Sequence, residues 1–184
     1  MEKFLSKSLL NKKNVDSTEK MIINLNRIVK DFSLNFDNQQ LDIFLSHKHS
    51  DKELVYKVIK FLESLNLKIY IDWLDDEMPL ITDHVTALKL KDKIKNSKKF
   101  VLLATDEAIN SKWCNWELGF GDAHKYFESI AILPVTDSDD GKWTGNEYLK
   151  IYPAITISER SNEQSELFVE FMGKKVKFTD WLKN

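Results

Sequence analysis

Short apolar runs alternate with amphipathic segments from about residue 41 to residue 173. Each run has the length of a buried strand, whereas in the segments between them apolar residues recur every three or four positions, as on one face of a helix. Strands are therefore predicted at residues 41–46, 67–73, 99–105, 129–135 and 153–158. Helices are predicted at residues 51–65, 83–97, 111–127 and 163–173, the last with Leu167, Phe168 and Phe171 on its inner side.

This alternation predicts an α/β fold with three layers. Crossovers of this length between parallel strands are right-handed, which favours the strand order 2-1-3-4-5 of flavodoxin-like domains. We expect a five-stranded parallel sheet with helices on both faces. Ligands bind such a sheet at the carboxyl ends of the strands, near the point where the strand order reverses. The loops at residues 47–51, 75–80 and 106–113 meet at that edge, so they form the candidate site.

Residues 1–38 differ in composition from the rest of the chain. They are polar and rich in Lys and Asn, and their apolar residues have helical spacing at Met21, Leu25, Ile28, Val29 and Phe32. We predict an N-terminal helical extension at residues 1–38 that packs on the main domain, residues 39–184, or on another chain. Asn and Ser separate its first basic residues, Lys3, Lys7, Lys12 and Lys13. That spacing is typical of a solvated arm rather than a nucleic-acid patch.

Charge and cysteine content exclude several classes of function. The formal net charge is -2, which provides no general attraction to nucleic acid or to an anionic membrane. Cys114 is the only cysteine, so the chain cannot form an internal disulfide and a reducing compartment is expected. No apolar run approaches the length of a membrane span, and residues 1–10 lack the apolar core of a signal peptide. We expect a cytoplasmic protein that binds neither nucleic acid nor membrane.

The stretch from Asn110 to Gly121 carries the strongest candidate chemistry. Ser111 is placed to cap a helix, and Trp113 and Glu117 are four positions apart on it, so the two side chains share a face. A carboxyl group beside large apolar side chains has a raised pKa, which is useful for chemistry. The alternative is that the tryptophans belong to the core and Glu117 is solvated. Spacing alone does not decide between these interpretations.

Rival sites are weaker. His47 and His49 with Asp51 have some features of a metal site, but no further His or Cys cluster accompanies them, so no metal is expected. Residues 119–121 include two glycines inside a predicted helix, whereas a phosphate-binding loop lies between a strand and a helix. Cys114 has no base nearby in the sequence that could activate it as a nucleophile.

Two motifs resemble those of a known family. Residues 41–47 read Leu-Asp-Ile-Phe-Leu-Ser-His, and residues 111–118 read Ser-Lys-Trp-Cys-Asn-Trp-Glu-Leu. They are similar to the first-strand box and the Ser-x-Trp-Cys-x-x-Glu-Leu box of Toll/interleukin-1 receptor (TIR) domains. Residues 88–101 resemble the segment that precedes the third strand of that family. The resemblance covers roughly residues 41–158.

The resemblance implies the five-stranded fold and, as in many bacterial and plant members, cleavage of NAD+ at the nicotinamide glycosidic bond. The family's catalytic glutamate falls on Glu117, and its tryptophan one turn earlier falls on Trp113. Ser111 matches a serine at the pocket edge. His47 and Lys48 fall in the first loop, at positions that the resemblance assigns to substrate binding. Plant members have an arginine that lines the pocket at the position of Lys48. NAD+ is then the substrate, and neither a cofactor nor a metal is implied.

The acidic loop has a separate implied role. It occupies the position of the family's BB loop, which mediates assembly between TIR domains. The residues that carry this expectation are Asp75, Asp76, Glu77 and Pro79. The resemblance therefore implies that other TIR domains are partners of this chain.

Two functions of different classes follow. The first is a stand-alone bacterial TIR enzyme, an NAD+ glycohydrolase or ADP-ribosyl cyclase in anti-phage defence. It releases nicotinamide and an ADP-ribose or cyclic ADP-ribose-type signal that a separate effector protein senses. The alternative is a non-enzymatic TIR adaptor that acts by homotypic binding. The presence of both Trp113 and Glu117 favours the enzyme, because an adaptor needs neither. A response-regulator receiver is disfavoured, since no acidic pair follows the first strand.

Overall fold

A twisted sheet with helices on both faces forms the centre of the protein in a computed structural model. The structure describes residues 3–13, 40–74, 83–139, 141–159 and 165–184. Its strands are β1 Leu5–Ser6, β2 Leu41–Ser46, β3 Ile69–Tyr70, β4 Ser97–Ala104, β5 Ile130–Thr136, β6 Ala154–Glu159, β7 Ser165–Phe171 and β8 Lys174–Lys177. Its helices are α1 Lys7–Lys13, α2 Lys52–Leu62, α3 His84–Asn96, α4 Asp106–Ile109, α5 Lys112–His124 and α6 Phe178–Trp181. Among these described helices, none has the length and apolar character needed to cross a membrane.

The central part of the sheet has the predicted topology. Its strand order is β3-β2-β4-β5-β6, continued by β7 and β8, and the pairs from β3 to β6 are all parallel. This is the order 2-1-3-4-5 of the five predicted strands, which confirms the flavodoxin-like arrangement. The strand order reverses at β2, because the next strand in the chain, β3, lies on one side of it and β4 lies on the other side.

The two faces of the sheet bury separate apolar layers. Side chains alternate along β4, so that Val101 and Leu103 pack in one layer while Phe100 and Leu102 pack in the other. The buried aliphatic residues of helix α2 lie in the first layer, and buried apolar residues of α3 and α5 lie in the second. Helix α3 begins after Asp83, whose carboxylate accepts hydrogen bonds from two backbone N–H groups of the first turn. The prediction of helices on both faces is therefore confirmed.

The described part of the N-terminal segment adds a strand as well as a helix. Leu5 lies opposite Val135 in a parallel pairing of β1 with β5, and Leu5 and Leu10 are both buried. Of the lysines predicted to form a solvated arm, Lys7 and Lys12 are exposed and pair with acidic residues of the loop after β5. The predicted helical pattern at residues 21–32 and the boundary at residue 38 lie outside the described residues.

The prediction of a helix at residues 163–173 is wrong. Residues 165–171 form β7, which pairs antiparallel with both β6 and β8. Met172 and Gly173 have φ values of 48° and 74°, as required for the tight turn of a hairpin. The apolar residues Leu167, Phe168 and Phe171 fit a helical period. The observed strand instead directs Leu167 and Val169 together into the core.

Candidate active site

The carboxyl ends of the central parallel strands carry polar side chains to one edge of the sheet, here called the rim. β2 ends at Ser46 and is followed by His47 and Lys48. Asp72 begins the single turn of 3-10 helix after β3, and Thr105 follows β4. Because the strands are parallel, these side chains belong to the same edge although they are far apart in the sequence.

Glu117 reaches the rim from the second turn of α5. The helix begins where the Ser111 hydroxyl accepts a hydrogen bond from the backbone N–H of Cys114 at 3.4 Å. Ser111 therefore acts as the predicted N-cap. The side chain of Glu117 turns inward and is only 3% exposed. It contacts the carboxyl end of β2, where Oγ of Ser46 donates a hydrogen bond to Oε2 of Glu117 at 2.6 Å.

The environment of Glu117 favours its neutral form. Burial raises the pKa of this carboxyl to about 8, the hydrogen bond from Ser46 opposes that shift, and the negative charge of Asp72 adds to it. A carboxyl group with such a pKa holds its proton at neutral pH and releases it when positive charge arrives. Glu117 therefore has the perturbed ionisation that is typical of a functional carboxyl group.

Trp113 is half-buried at the start of a row of aromatic rings along α5. Its ring stacks on Trp116 with centroids 4.8 Å apart and planes inclined by 16°. Trp116 stacks in turn on Phe120 at 5.9 Å, and the ammonium group of Lys91 lies 5.8 Å from the Trp116 ring. One face of Trp113 is thus occupied by a neighbour within the protein. Trp113 also packs against the apolar layer to which α3 and α5 contribute.

The remaining predicted site residues differ in their contacts. Ser111 is buried and its hydroxyl serves the helix cap. Lys48 is half-buried, and its charge acts on the thiol of Cys114, one turn before Glu117. The ring of His47 is buried, and Nδ1 lies 2.9 Å from the Leu45 carbonyl oxygen. The structure thus places Ser111, His47, Lys48 and Glu117 around one edge, while their roles stay predictions.

Asp72 is a functional candidate that the sequence analysis missed. Its two carboxylate oxygens lie 3.3 Å from Nε2 of His47 and 3.4 Å from Nε2 of His49. Asp72 falls near the end of the strand predicted at residues 67–73. A polar residue at the carboxyl end of a parallel strand is the sequence signal that could have identified it. The two imidazoles approach different oxygens of Asp72, and the described residues contain no His, Cys, Asp or Glu cluster that could hold a metal ion.

The predicted assembly residues Asp75, Asp76, Glu77 and Pro79 lie outside the described residues. A cleft of about 310 Å³ lies between α1 and the beginning of α2, where Lys7, Asp51 and Lys57 are among its lining residues. None of the predicted substrate-binding residues lines this cleft.

The fold and the rim define a class of protein: a flavodoxin-like α/β domain with a buried carboxyl group at the carboxyl ends of its parallel strands. A family model described as "TIR domain" matches residues 43–168, which include most of the first motif, all of the second and most of the sheet. The chain belongs to the TIR domain family.

Three individual proteins are similar to this chain to different extents. The chain is 32% identical over 155 residues to the "Probable 3' cyclic ADP-D-ribose synthase ThsB'" of Bacillus cereus (strain MSX-D12), covering 80% of this chain and 79% of that protein. It is 28% identical over 109 residues to the "Probable 2' cyclic ADP-D-ribose synthase TcpO" of Methanobrevibacter olleyae, covering 56% of this chain and 31% of that one. A crystal structure of the TIR domain of the Toll-related receptor TRR-2 from Hydra magnipapillata is 16% identical, with a TM-score of 0.44, and covers 59% of this chain and 78% of that chain.

Proposed function

We propose that the protein is an enzyme that cleaves the nicotinamide glycosidic bond of NAD+. The single observation that carries the proposal is the buried carboxyl group of Glu117 at the rim, hydrogen-bonded by Ser46. Membership of the TIR domain family supports it. So does the relative named as a 3' cyclic ADP-D-ribose synthase, which matches most of both chains.

The reaction needs stabilisation of positive charge more than it needs proton donation. When the bond between the ribose anomeric carbon and the ring nitrogen breaks, its electron pair goes to the nitrogen, and nicotinamide leaves as a neutral molecule. The ribose then resembles an oxocarbenium ion, which a carboxylate can stabilise. Glu117 supplies that carboxylate and can hold the ribose hydroxyls. No general acid is required for this departure.

Cleavage of the same glycosidic bond can lead to two products. A new bond forms between the anomeric carbon and the oxygen of water or of a hydroxyl group within the same molecule, and that oxygen loses its proton. Water gives ADP-ribose, whereas an internal hydroxyl gives a cyclic ADP-ribose. We propose the cyclic product, because the relatives compared above are named as cyclic ADP-D-ribose synthases. NAD+ is a substrate in both cases rather than a cofactor.

The neighbouring side chains have distinct proposed roles. The half-buried ring of Trp113 stacks on a flat ring of the substrate. The ammonium group of Lys48, at the end of β2, attracts the pyrophosphate. His47 and Ser111 form the wall beside Glu117. Self-assembly with other TIR domains and a separate effector that senses the product complete the proposed signalling role in bacterial anti-phage defence.

The test is the substitution Glu117→Gln. It preserves the size of the side chain and an acceptor for Ser46 but cannot become negatively charged. We expect the rate of nicotinamide release from NAD+, followed by chromatography, to fall at least about a hundredfold, as for loss of a preorganised electrostatic group. Circular dichroism establishes that the variant is folded.

Glu107→Gln is the matched control, because Glu107 is an exposed glutamate of α4. It removes the same charge from the surface near the rim and should leave the rate unchanged. Equal turnover by wild type and Glu117→Gln would show that Glu117 is not catalytic. Absence of NAD+ cleavage by the wild-type protein at every concentration would favour the adaptor function instead.

A further inference from the structure

Ser46 is the last residue of β2, the strand at which the order of the sheet reverses. Side chains alternate along β2, so that Ile43 and Leu45 lie in one apolar layer while Phe44 lies in the layer to which α5 contributes. The same alternation turns Ser46 towards α5. Ser46 is only 1% exposed, and it pairs with Leu102 of β4. A strand held in the sheet, rather than a loop, therefore positions its hydroxyl group.

Helix α5 approaches the sheet closely enough to bring Glu117 to this hydroxyl group. The buried residues of the helix are Cys114, Glu117, Leu118 and Gly121, and their spacing places them on one face. A Cβ atom on Gly121 would lie 3.1 Å from the Phe100 ring of β4, which is tighter than ordinary van der Waals contact. The glycine thus permits the close approach of the helix to the strand.

A short hydrogen bond joins Ser46 to Glu117 across 71 positions of the sequence. Oγ lies 2.6 Å from Oε2, and no other hydrogen bond links the Glu117 carboxyl group to the part of the chain that the structure describes. A carboxylate only accepts, so in the ionised form of Glu117 the hydrogen in this contact belongs to Ser46. Such a bond is about twice as strong as one between neutral groups. Burial is the larger influence and raises the pKa of Glu117, whereas Ser46 lowers it.

Three other groups carry a charge or a titratable proton near this contact. The negative charge of Asp72, in the turn after β3, adds to the effect of burial and raises the pKa of Glu117. Burial raises the pKa of the Cys114 thiol to about 11, so the thiol is neutral. The positive charge of Lys48 acts on that thiol. Among these described residues, Ser46 alone donates a hydrogen bond to the carboxyl group.

We propose that Ser46 is a positioning residue that holds the Glu117 carboxyl group in the orientation and the charge state that bond cleavage needs. Its hydroxyl group fixes Oε2 and leaves Oε1 to face the ribose. Because the hydrogen bond strengthens as Glu117 becomes negative, Ser46 contributes more to the transition state than to the free enzyme. This role rests on the proposed function, in which Glu117 stabilises an oxocarbenium-like ribose. The effect of the hydrogen bond on ionisation of Glu117 in the free protein does not.

The kinetic test is Ser46→Ala, which removes the hydroxyl group and little volume. We expect kcat for nicotinamide release to fall about tenfold or more, as for loss of a hydrogen bond to a charged group, while KM for NAD+ changes little. Ser46→Thr keeps a hydroxyl group and should retain most of the rate. Ser46→Cys fills the same space with a weaker donor, so it provides the same comparison if Ser46→Ala does not fold.

Ser97→Ala is the matched control. Ser97 is also a buried serine of the sheet, and its hydroxyl group donates to the Ile94 carbonyl oxygen at 2.8 Å. It lies at the start of β4, whereas the rim lies at the carboxyl ends of the strands. Ser97→Ala should therefore keep the wild-type kcat, and circular dichroism establishes that each variant is folded.

A double-mutant cycle separates positioning from a general structural effect. If Ser46 acts through the charge of Glu117, Ser46→Ala should slow Glu117→Gln much less than it slows wild type. A carbon-13 NMR titration of protein labelled at glutamate measures ionisation without substrate, and the Glu117 resonance is identified by its loss in Glu117→Gln. The midpoint should move to higher pH in Ser46→Ala and stay in place in Ser97→Ala. The acid limb of kcat/KM should move with it.

Equal kcat values and equal Glu117 midpoints in wild type and Ser46→Ala would overturn the role of Ser46. So would a full loss of rate from Ser46→Ala in the Glu117→Gln background, because such an effect cannot pass through the charge of Glu117. If the midpoint moves but the wild-type protein cleaves no NAD+, the proposed function fails while the control of Glu117 by Ser46 stands.

Discussion

Replacing Glu117 by glutamine should stabilise the folded protein, and the gain should grow with pH. Glutamine resembles the neutral form of the carboxyl group, so Glu117→Gln removes the penalty of ionising a group that is 3% exposed. The pKa of Glu117 rises from its ordinary value of 4.5 to about 8 on folding, chiefly because burial disfavours the charged form. The folded protein therefore binds this proton more tightly than the unfolded chain does.

Proton linkage gives the direction in which the free energy of unfolding changes with pH. Between the two pKa values the folded state retains a proton that the unfolded state has lost, so the free energy of unfolding of the wild type decreases as pH rises. Below about pH 4.5 both states are protonated and the penalty vanishes. Above about pH 8 both are ionised and the penalty reaches its limit.

The magnitude follows from the size of the shift. Each pKa unit corresponds to ~1.4 kcal/mol. The rise from 4.5 to about 8 therefore limits the penalty to ~5 kcal/mol above pH 8, and about 3 kcal/mol of it is present at pH 7. Glu117→Gln should be more stable than wild type by amounts approaching these values and equal to it near pH 4.

Urea unfolding of both proteins, followed by circular dichroism at several pH values from 4 to 9, measures the difference. Lys125, whose pKa is lowered to about 8 chiefly by burial, titrates in both proteins, so its contribution cancels. Glu107→Gln should show no such pH-dependent gain, because Glu107 is exposed. A stability difference that stays constant across this range would refute the assignment of a raised pKa to Glu117.

Two further predictions concern substrate binding and assembly. Trp113→Ala should raise the KM for NAD+ about fivefold, corresponding to ~1 kcal/mol of stacking, whereas Trp113→Phe should raise it less; equal KM values for both variants and wild type would assign Trp113 to the core alone. The specific activity of wild type should rise with protein concentration, as expected if contact with a neighbouring chain moves the acidic loop away from the site. When Asp75, Asp76 and Glu77 are replaced together by alanine, specific activity should become nearly independent of protein concentration. Specific activity that is constant for both proteins would show that assembly through this loop does not control the enzyme.

Local sequence pattern was sufficient for most of the sheet. Runs of apolar residues of strand length recur with helical segments between them, and right-handed crossovers then leave few ways to order the strands. The same reasoning brought the loops after β2, β3 and β4 to one rim. Ser111 was identifiable as a helix cap, since capping depends on residues within one turn of each other.

Local pattern was insufficient where one set of apolar positions is compatible with both a helix and a strand. Leu167, Phe168 and Phe171 have spacing that suits a helix, yet pairing with β6 on one side and β8 on the other makes residues 165–171 a strand. Likewise, Leu5–Ser6 is too short to show a period. It is a strand because the end of β5 offers unpaired backbone groups beside it.

The amino-acid sequence by itself determined which residue types stand at the rim, including Glu117 and Trp113. Only the tertiary structure decided what surrounds them. Ser46 and Glu117 are 71 positions apart, and Asp72 lies in the turn after another strand, so the hydrogen bond of Glu117 and the charges near it leave no periodic signal. The charge of Glu117 depends on those contacts and on its burial, because desolvation and neighbouring charges exist only after the strands and α5 have packed together.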